Sequence, residues 1–430
     1  MITFDQSLSL VVQCLKSVQP AVAPDAMRVI RDMQGRLFVV VPDSLPEDVL
    51  ERLNQQLVAS LGHYAGSSTP AVRKSDTLTG DALLQEPHVI QHLDDFPVHL
   101  IERRAMGEDW VLQPAENPPT HPPRFVFFSL KGGVGRSTAL ALWAYHLCQQ
   151  GKTLLVVDLD LEAPGLGAQL LERKGKPRFG VADWLVEDIA GNDVVAMVPD
   201  MARQSPIVSA GLWVVPAFGS VTDETPQNVI AKLARAYLDK QDEQGQQHFA
   251  HRLRRMVTEL EQEYSPDVVL IDSRAGLHET VAASLLHLDA EVLCFATNLE
   301  VTWQGYRYLF SHLSQLAHSD GSAVDWRERF KMVSARSKMT GLDDFVGRSY
   351  GLWSDTLYEE SDESFGEVFG FDEQDVSAPH YPLMIPRSDT FETFDPCRDL
   401  NRIEKTQLDQ VFGELFRGLD ERLEVVEDEQ

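Results

Sequence analysis

Phe125-Val-Phe-Phe-Ser-Leu-Lys-Gly-Gly-Val-Gly-Arg-Ser-Thr138 decides the fold. Its apolar opening, Phe125 to Phe128, reads as a buried strand. The chain then breaks into a glycine turn at Gly132, Gly133 and Gly135. A long apolar segment, Ala139 to Cys148, follows and ends at Gly151, a natural helix stop. Strand, glycine loop, helix is the context that a phosphate-binding loop requires. Glycines let the backbone curl so that successive N–H groups point at one anion, and the helix that starts there adds its positive dipole end. The Ser137 hydroxyl falls where a Mg²⁺ ligand is needed. The ordinary Walker A pattern differs at two places: it has glycine where this chain has Leu130, and lysine where it has Arg136.

Two further strands end in carboxylates. Thr153-Leu-Leu-Val-Val-Asp-Leu-Asp-Leu161 is apolar until Asp158 and Asp160. Asp267-Val-Val-Leu-Ile-Asp272 is a Walker B pattern, in which the apolar run buries the strand and the final carboxylate holds Mg²⁺. Carboxylates at the C-terminal edge of a parallel sheet stand where a nucleotide's metal and attacking water lie. Alternation of such strands with helices predicts an α/β fold, a mostly parallel sheet flanked by helices. Further strands are expected at Leu212–Phe218, Val292–Ala296, Phe330–Ala335 and Pro382–Pro386, with helices around 225–240 and 247–264.

Taken in order, these motifs resemble the MinD/ParA family, the deviant Walker A ATPases of the SIMIBI class of P-loop proteins. Lys131 matches that family's signature lysine, and Arg136 replaces its P-loop lysine. Asp158 and Asp160 match its Asp-x-Asp motif, Asp272-Ser-Arg-Ala-Gly its second switch, and Thr297-Asn-Leu-Glu-Val its following segment. Pro382-Leu-Met-Ile-Pro386 resembles its last strand. The resemblance spans roughly residues 124–390. It implies ATP and Mg²⁺ as cofactors. ATP would be held by Lys131, Gly132, Gly133, Val134, Gly135, Arg136, Ser137 and Thr138, with Asn298 and Pro386; the metal by Ser137, Asp160 and Asp272. It assigns catalysis to Lys131, Asp160 and Asp272, with Asp160 positioning the water or the metal shell. It implies an ATP-dependent homodimer in which Lys131 reaches the other subunit's phosphates. Two departures stand out: Arg274 replaces the usual proline of the second switch, and Ser334-Ala-Arg-Ser337 stands where the family often has an adenine-reading asparagine. Arg274 reads equally as a phosphate or partner contact and as a surface residue.

Residues 1–112 read as a small α+β docking or sensing domain, 113–123 as a stiff proline-rich linker, and 124–430 as the ATPase domain. Within the first, a hairpin is expected about Gln34-Gly35, a capping box at Ser44-Leu-Pro-Glu47, a loop over 63–81, and a second hairpin about Met106-Gly107-Glu108. Residues 349–381 form an acidic, aromatic-rich insertion without lysine or arginine, a solvated lid or a partner-docking surface. A C-terminal helix over 402–424 carries the stripe Leu408, Val411, Phe412, Leu415, Phe416, Leu419 and Leu423. Its polar face is acidic rather than basic, so packing on the core is expected in place of membrane binding. The tail Glu427-Asp-Glu429 reads as disordered.

Net charge is −28 in 430 residues, with a pI near 4.8. Such a chain is repelled by nucleic-acid phosphates and anionic membranes. The basic clusters Arg252-Leu-Arg-Arg255 and Arg103-Arg104 read as solvated faces. No apolar run reaches the roughly 20 residues that span a bilayer, and no signal peptide is apparent, so a cytoplasmic place is expected. Four scattered cysteines carry no metal or disulfide spacing. The expectation is an ATP-hydrolysing switch that dimerises on ATP–Mg²⁺ and signals to an unidentified protein. The Lys-Gly-Gly-Val-Gly-Arg loop resembles accessory ATPases of bacterial conflict and signalling modules, which implies a defence role. Alternatives are a nucleotide-gated scaffold with little turnover and a relative of the bacterial tyrosine kinases; the latter carry a tyrosine-rich tail that this chain lacks.

Overall fold

A computed structural model describes residues 2–18, 22–65, 70–75, 84, 88–103, 107–112, 121–172, 175–242, 245–316, 326–359 and 369–428. It divides into two compact units, Met1–Val111 and Leu112–Gln430. The proline-rich segment 113–120, with Arg104 and Met106, lies outside the described residues.

In the first unit the helices Phe4–Lys16 and Glu47–Leu61 cover a five-stranded sheet. Its strands are β1 (Arg28–Arg31), β2 (Leu37–Val41), β3 (Val72–Lys74), β4 (Val89–Leu93) and β5 (Phe96–Glu102), in the order β3-β2-β1-β5-β4. β1 and β2 form the hairpin expected at Gln34-Gly35, where Gly35 takes a positive φ of 81°. Three local expectations fail. The capping box does not form: Pro46 precedes the helix, no side chain caps it, and Glu47 bonds Lys74 instead, at 2.6 Å. β3 interrupts the loop expected over 63–81, of which 66–69 and 76–81 are outside the described residues. The second hairpin lies on the other side of β5: β4 and β5 turn at Asp94 and Asp95, both left-handed, while Glu108–Trp110 is a 3-10 turn.

The second unit is built on an eight-stranded sheet: β6 (Arg124–Ser129), β7 (Leu154–Asp158), β8 (Arg203–Gln204), β9 (Leu212–Val215), β12 (Val268–Ala275), β13 (Glu291–Ala296), β14 (Phe330–Ser337) and β15 (Leu383–Pro386). A two-stranded ribbon, β10 (Lys240–Asp242) with β11 (Gly245–Gln247), lies between the two helices expected around 225–240 and 247–264. The order is β15-β14-β13-β6-β12-β7-β9-β8, and every pairing is parallel except β8 with β9. β6, β7 and β13 are buried throughout, as a sheet covered on both faces requires. One face is covered by the helices Arg136–Gln149 and Lys405–Asp428, whose apolar stripes share one core with the strands. Among the described residues no helix is long and apolar enough to cross a membrane.

The C-terminal helix packs on the core as its stripe predicts and runs on through Asp428, so the described part of the acidic tail is helical, not disordered. Lys152 holds Glu427 at 2.5 Å, which fixes that last turn. The described part of the insertion is mixed. Residues 349–354 complete the helix Leu342–Ser354, whereas in 369–381 only Ala378, Pro379 and His380 are buried and most of the others face solvent. Tyr358 packs edge-on or tilted against Phe369, Phe371 and His380, and Lys331 donates to the carbonyls of Val376 and Ala378 at 3.0 and 2.8 Å. Residues 360–368 are outside the described set. The basic run Arg252-Leu-Arg-Arg255 is not the solvated face expected. Arg252 is fully buried on Asp188, which Arg255 and Lys240 also reach, and Arg254 pairs with Asp289. A helix unseen in the sequence, Val181–Ala190, carries Asp188 and begins at Gly180, whose N–H donates to Asp183.

Candidate nucleotide site

The strand order brings the candidate residues together. β12 lies between β6 and β7, and in register Asp272 faces Phe127 on one side and Asp158 on the other. Asp272 therefore stands one strand from the glycine loop, which leaves β6 after Ser129. The loop turns through Gly133 (φ 76°) and Gly135 (φ 93°), conformations that a side chain would strain. Gly135 then starts the helix Arg136–Gln149, which aims its unpaired N–H groups and dipole at the loop.

Inside this turn lies a closed ionic cluster. The Ser137 hydroxyl donates to Asp272 Oδ2 at 2.6 Å. Arg136 points inward and is buried. Its Nε donates to Asp272 Oδ1 at 2.7 Å, its Nη1 to Ser129 Oγ at 3.0 Å and its Nη2 to Asp160 Oδ2 at 3.2 Å. Burial opposes the guanidinium's charge, but Asp272 and Asp160 outweigh burial and hold its pKa above the ordinary value. Asp158 behaves differently from Asp160. It is fully buried, and burial, with the Asp272 charge beside it, pushes its carboxyl up to about 8. It accepts from the N–H groups of Asp160 and Gly167 and so shapes the loop after β7. The half-buried Asp160 is the member of the pair that faces the cluster, and burial raises it against the pull of Arg136.

The loops after β7 and β12 are tied together. Arg274 forms an ion pair with Glu162, and His278 Nε2 lies 3.5 Å from the same carboxylate oxygen. Burial holds His278 below its ordinary pKa despite Glu162, so Arg274 carries the pairing. Tyr237 packs edge-on to the His278 ring, with centroids 4.9 Å apart. Arg274 is thus neither a bare surface residue nor a free phosphate contact in this state.

A shallow, open cleft runs from the glycine loop to the end of β15. Val134, Gly135 and Thr138 line one end, and Arg336, Pro386, Arg387 and Phe391 the other. Lys131, Gly132 and Gly133 are exposed at the tip of the loop. Asn298 does not line the cleft: its amide donates to Asp344 at 2.7 Å and accepts from Trp303 at 2.9 Å. One cleft residue missed from sequence is Arg336, in the Ser334-Ala-Arg-Ser337 stretch that lacks the expected asparagine. It takes φ 53° beside an irregularity in the β14–β15 pairing, a left-handed conformation uncommon for arginine. Arg387, directly after the Ile-Pro pair, is a second cleft residue that the sequence reading did not single out; its Nη2 lies 3.2 Å from Glu392.

The donor chemistry fits a divalent cation that takes part of its shell from phosphate. Ser137 and Asp272 offer hard oxygens side by side, as Mg²⁺ prefers. Among the described residues no group of three or more His, Cys, Asp or Glu could hold a metal by itself.

A parallel sheet whose central strand feeds a glycine loop and a helix, with a helix-start serine bonded to the carboxylate of the adjacent strand, defines a P-loop α/β protein. No protein-family model matches the chain, and no curated protein does. Its solved structural neighbours are ParA and MinD ATPases. A ParA family ATPase from Chlorobium tepidum TLS is 17% identical, over 68% of this chain and 98% of that one, with a TM-score of 0.42. The structure of pNOB8 ParA bound to nonspecific DNA is 15% identical, over 72% and 100%, with a TM-score of 0.42. The MinD cell division protein of Aquifex aeolicus is 17% identical, over 69% and 96%, with a TM-score of 0.41.

Proposed function

We propose that the chain is an ATP-binding, ATP-hydrolysing switch that dimerises on ATP–Mg²⁺ and signals to a protein partner. The observation that carries this reading is the 2.6 Å contact between Ser137 and Asp272 beneath the glycine loop. The loop amides and the helix dipole would take the phosphates, and the cleft between the loop and Pro386 would take the nucleoside. Mg²⁺, held through Ser137 and Asp272, would neutralise charge on the phosphate oxygens. Asp160 would orient the attacking water. Lys131, exposed at the loop tip, would act on the phosphates of a second copy. Both the −28 net charge and the internal pairing of Arg252, Arg254 and Arg255 favour a protein partner over nucleic acid. A role in bacterial defence rests on the Lys-Gly-Gly-Val-Gly-Arg resemblance alone.

Calorimetric melting with ATP and Mg²⁺ tests the first step: a ligand that binds only the native state must raise the melting temperature. Absence of a shift with every purine triphosphate would sink the reading. Light scattering tests the second. Lys131→Ala should leave nucleotide binding intact while ATP-dependent dimerisation and turnover fall together. A wild type that stays monomeric with saturating ATP and a slow-hydrolysing analogue refutes the dimer. The Arg136 cluster favours a second reading, a nucleotide-gated scaffold with little turnover, because Asp160 and Asp272 are both engaged. Single-turnover hydrolysis separates the two: phosphate release on the minute scale supports the enzyme, none over hours the scaffold.

A further inference from the structure

We propose that Arg136 and a divalent cation exclude one another at Asp272, so that nucleotide enters this site first and metal second. The inference rests on the nucleotide reading above and concerns the order of events at that site. Arg136 bridges Asp160 and Asp272, so its guanidinium fills the space between these two carboxylates beneath the loop. Both oxygens of Asp272 have partners, Oδ1 in Arg136 and Oδ2 in Ser137. Ser129 Oγ accepts from Arg136 Nη1 and donates to the Lys131 carbonyl at 2.8 Å, which ties the guanidinium to the glycine loop. Three separate acceptors therefore hold one planar cation, a grip that a lysine's single ammonium cannot reproduce.

A metal ion arriving alone meets a site whose carboxylates are already neutralised. To reach Asp272 it must displace a charge-assisted hydrogen bond and leave a buried guanidinium short of a partner. A polyphosphate changes that balance. It presents new anionic oxygens at the loop, and a guanidinium is well shaped to bind them in pairs. Once Arg136 turns to the phosphate, Asp272 and Ser137 become available together with phosphate oxygens, the mixed shell that Mg²⁺ favours. The arginine thus makes the empty site refractory to free metal and makes metal entry report that nucleotide is bound.

Mn²⁺ titration followed by electron paramagnetic resonance, on the full chain, tests this. Without nucleotide the wild type should show no saturable site, and ATP should create one. Arg136→Met should admit one Mn²⁺ without nucleotide, tighter than wild type by about a hundredfold or more. In EDTA the wild type should still bind ATP, with Arg136 as the captured cation, and Arg136→Met should lose that binding. If Arg136→Met fails to fold, Arg136→Lys should show intermediate metal access, since one ammonium cannot span three acceptors. One saturable Mn²⁺ site in the nucleotide-free wild type, as tight as in the variant, would overturn the exclusion. The two readings fail differently. Metal excluded from wild type and admitted to Arg136→Met, with no ATP binding under any condition, leaves the exclusion standing and removes the nucleotide.

Discussion

Asp272→Ala is expected to destabilise the nucleotide-free protein in EDTA, where no metal can account for the loss. Asp272 and Arg136 are both buried and bond at 2.7 Å. Removing one member of such a pair leaves the other charge uncompensated and typically costs about 3–5 kcal/mol. Two features of the cluster pull toward the lower end. Asp160 keeps its contact with Arg136, and the neighbouring Asp158, whose pKa burial and Asp272 both raise, loses a like charge beside it. About 3 kcal/mol in a unit of this size corresponds to a fall of about 4–5 °C in melting temperature. Scanning calorimetry in EDTA measures it. A carboxylate serving only as a metal ligand predicts the opposite, since its removal relieves repulsion from Asp158. A melting temperature unchanged or raised in Asp272→Ala would therefore refute the structural ion pair. A double-mutant cycle with Arg136→Met adds a second check: the arginine substitution should be less harmful when Asp272 is already Ala.

Asp160→Ala should lower the turnover rate while nucleotide affinity changes little, because water positioning acts in the transition state; parallel loss of both would make Asp160 structural. Lys331 is buried, which lowers its pKa to about 7, below the ordinary value near 10.4. The unfolded chain then binds more protons than the folded one between these values, so stability rises from about pH 7 to pH 10 through this group. Lys331→Met should flatten that rise in urea midpoints, and a slope equal to wild type would assign it elsewhere. Gly219→Ala should destabilise by about 2–3 kcal/mol, because its Cβ would strike the backbone of Arg178 and Phe179; an unshifted denaturation midpoint would mean that this turn yields freely.

What could be read from the sequence were features whose cause is local. Apolar strands closed by Asp158 and Asp272, glycines that need positive φ, and the stripe of the C-terminal helix all carry their reasons within a few residues. What could not be read depends on distant partners. Nothing near Arg136 says that it turns inward; Asp272, 136 residues away, decides that. Ser44 and Glu47 have capping spacing, but Lys74 offers Glu47 a better partner. Arg252 looks like a solvated arginine until Asp188 is seen beneath it. Asp158 and Asp160 look equivalent in sequence, and only their places in the fold separate a fully buried loop anchor from an acid that faces the cluster. Asn298 matched a motif by spacing, yet Trp303 and Asp344 draw its amide away from the cleft.

The C-terminal helix has a consequence for how the chain is made. Trp143 and His146, on the helix that follows the glycine loop, bond to Asp420, and the His146 ring stacks on Phe416. Trp143 and Asp420 are 277 residues apart. At ordinary translation speeds that gap takes on the order of 15 to 55 s to synthesise. Through that interval one apolar flank of an early helix waits beside a growing sheet without its cover. Contacts this remote in sequence slow folding, and the waiting surface is the kind to which holding chaperones bind. Ribosomes arrested before residue 405 should therefore carry a nascent chain that is protease-sensitive at the first half of the sheet, and release of the last turns should convert it to a resistant form in one step.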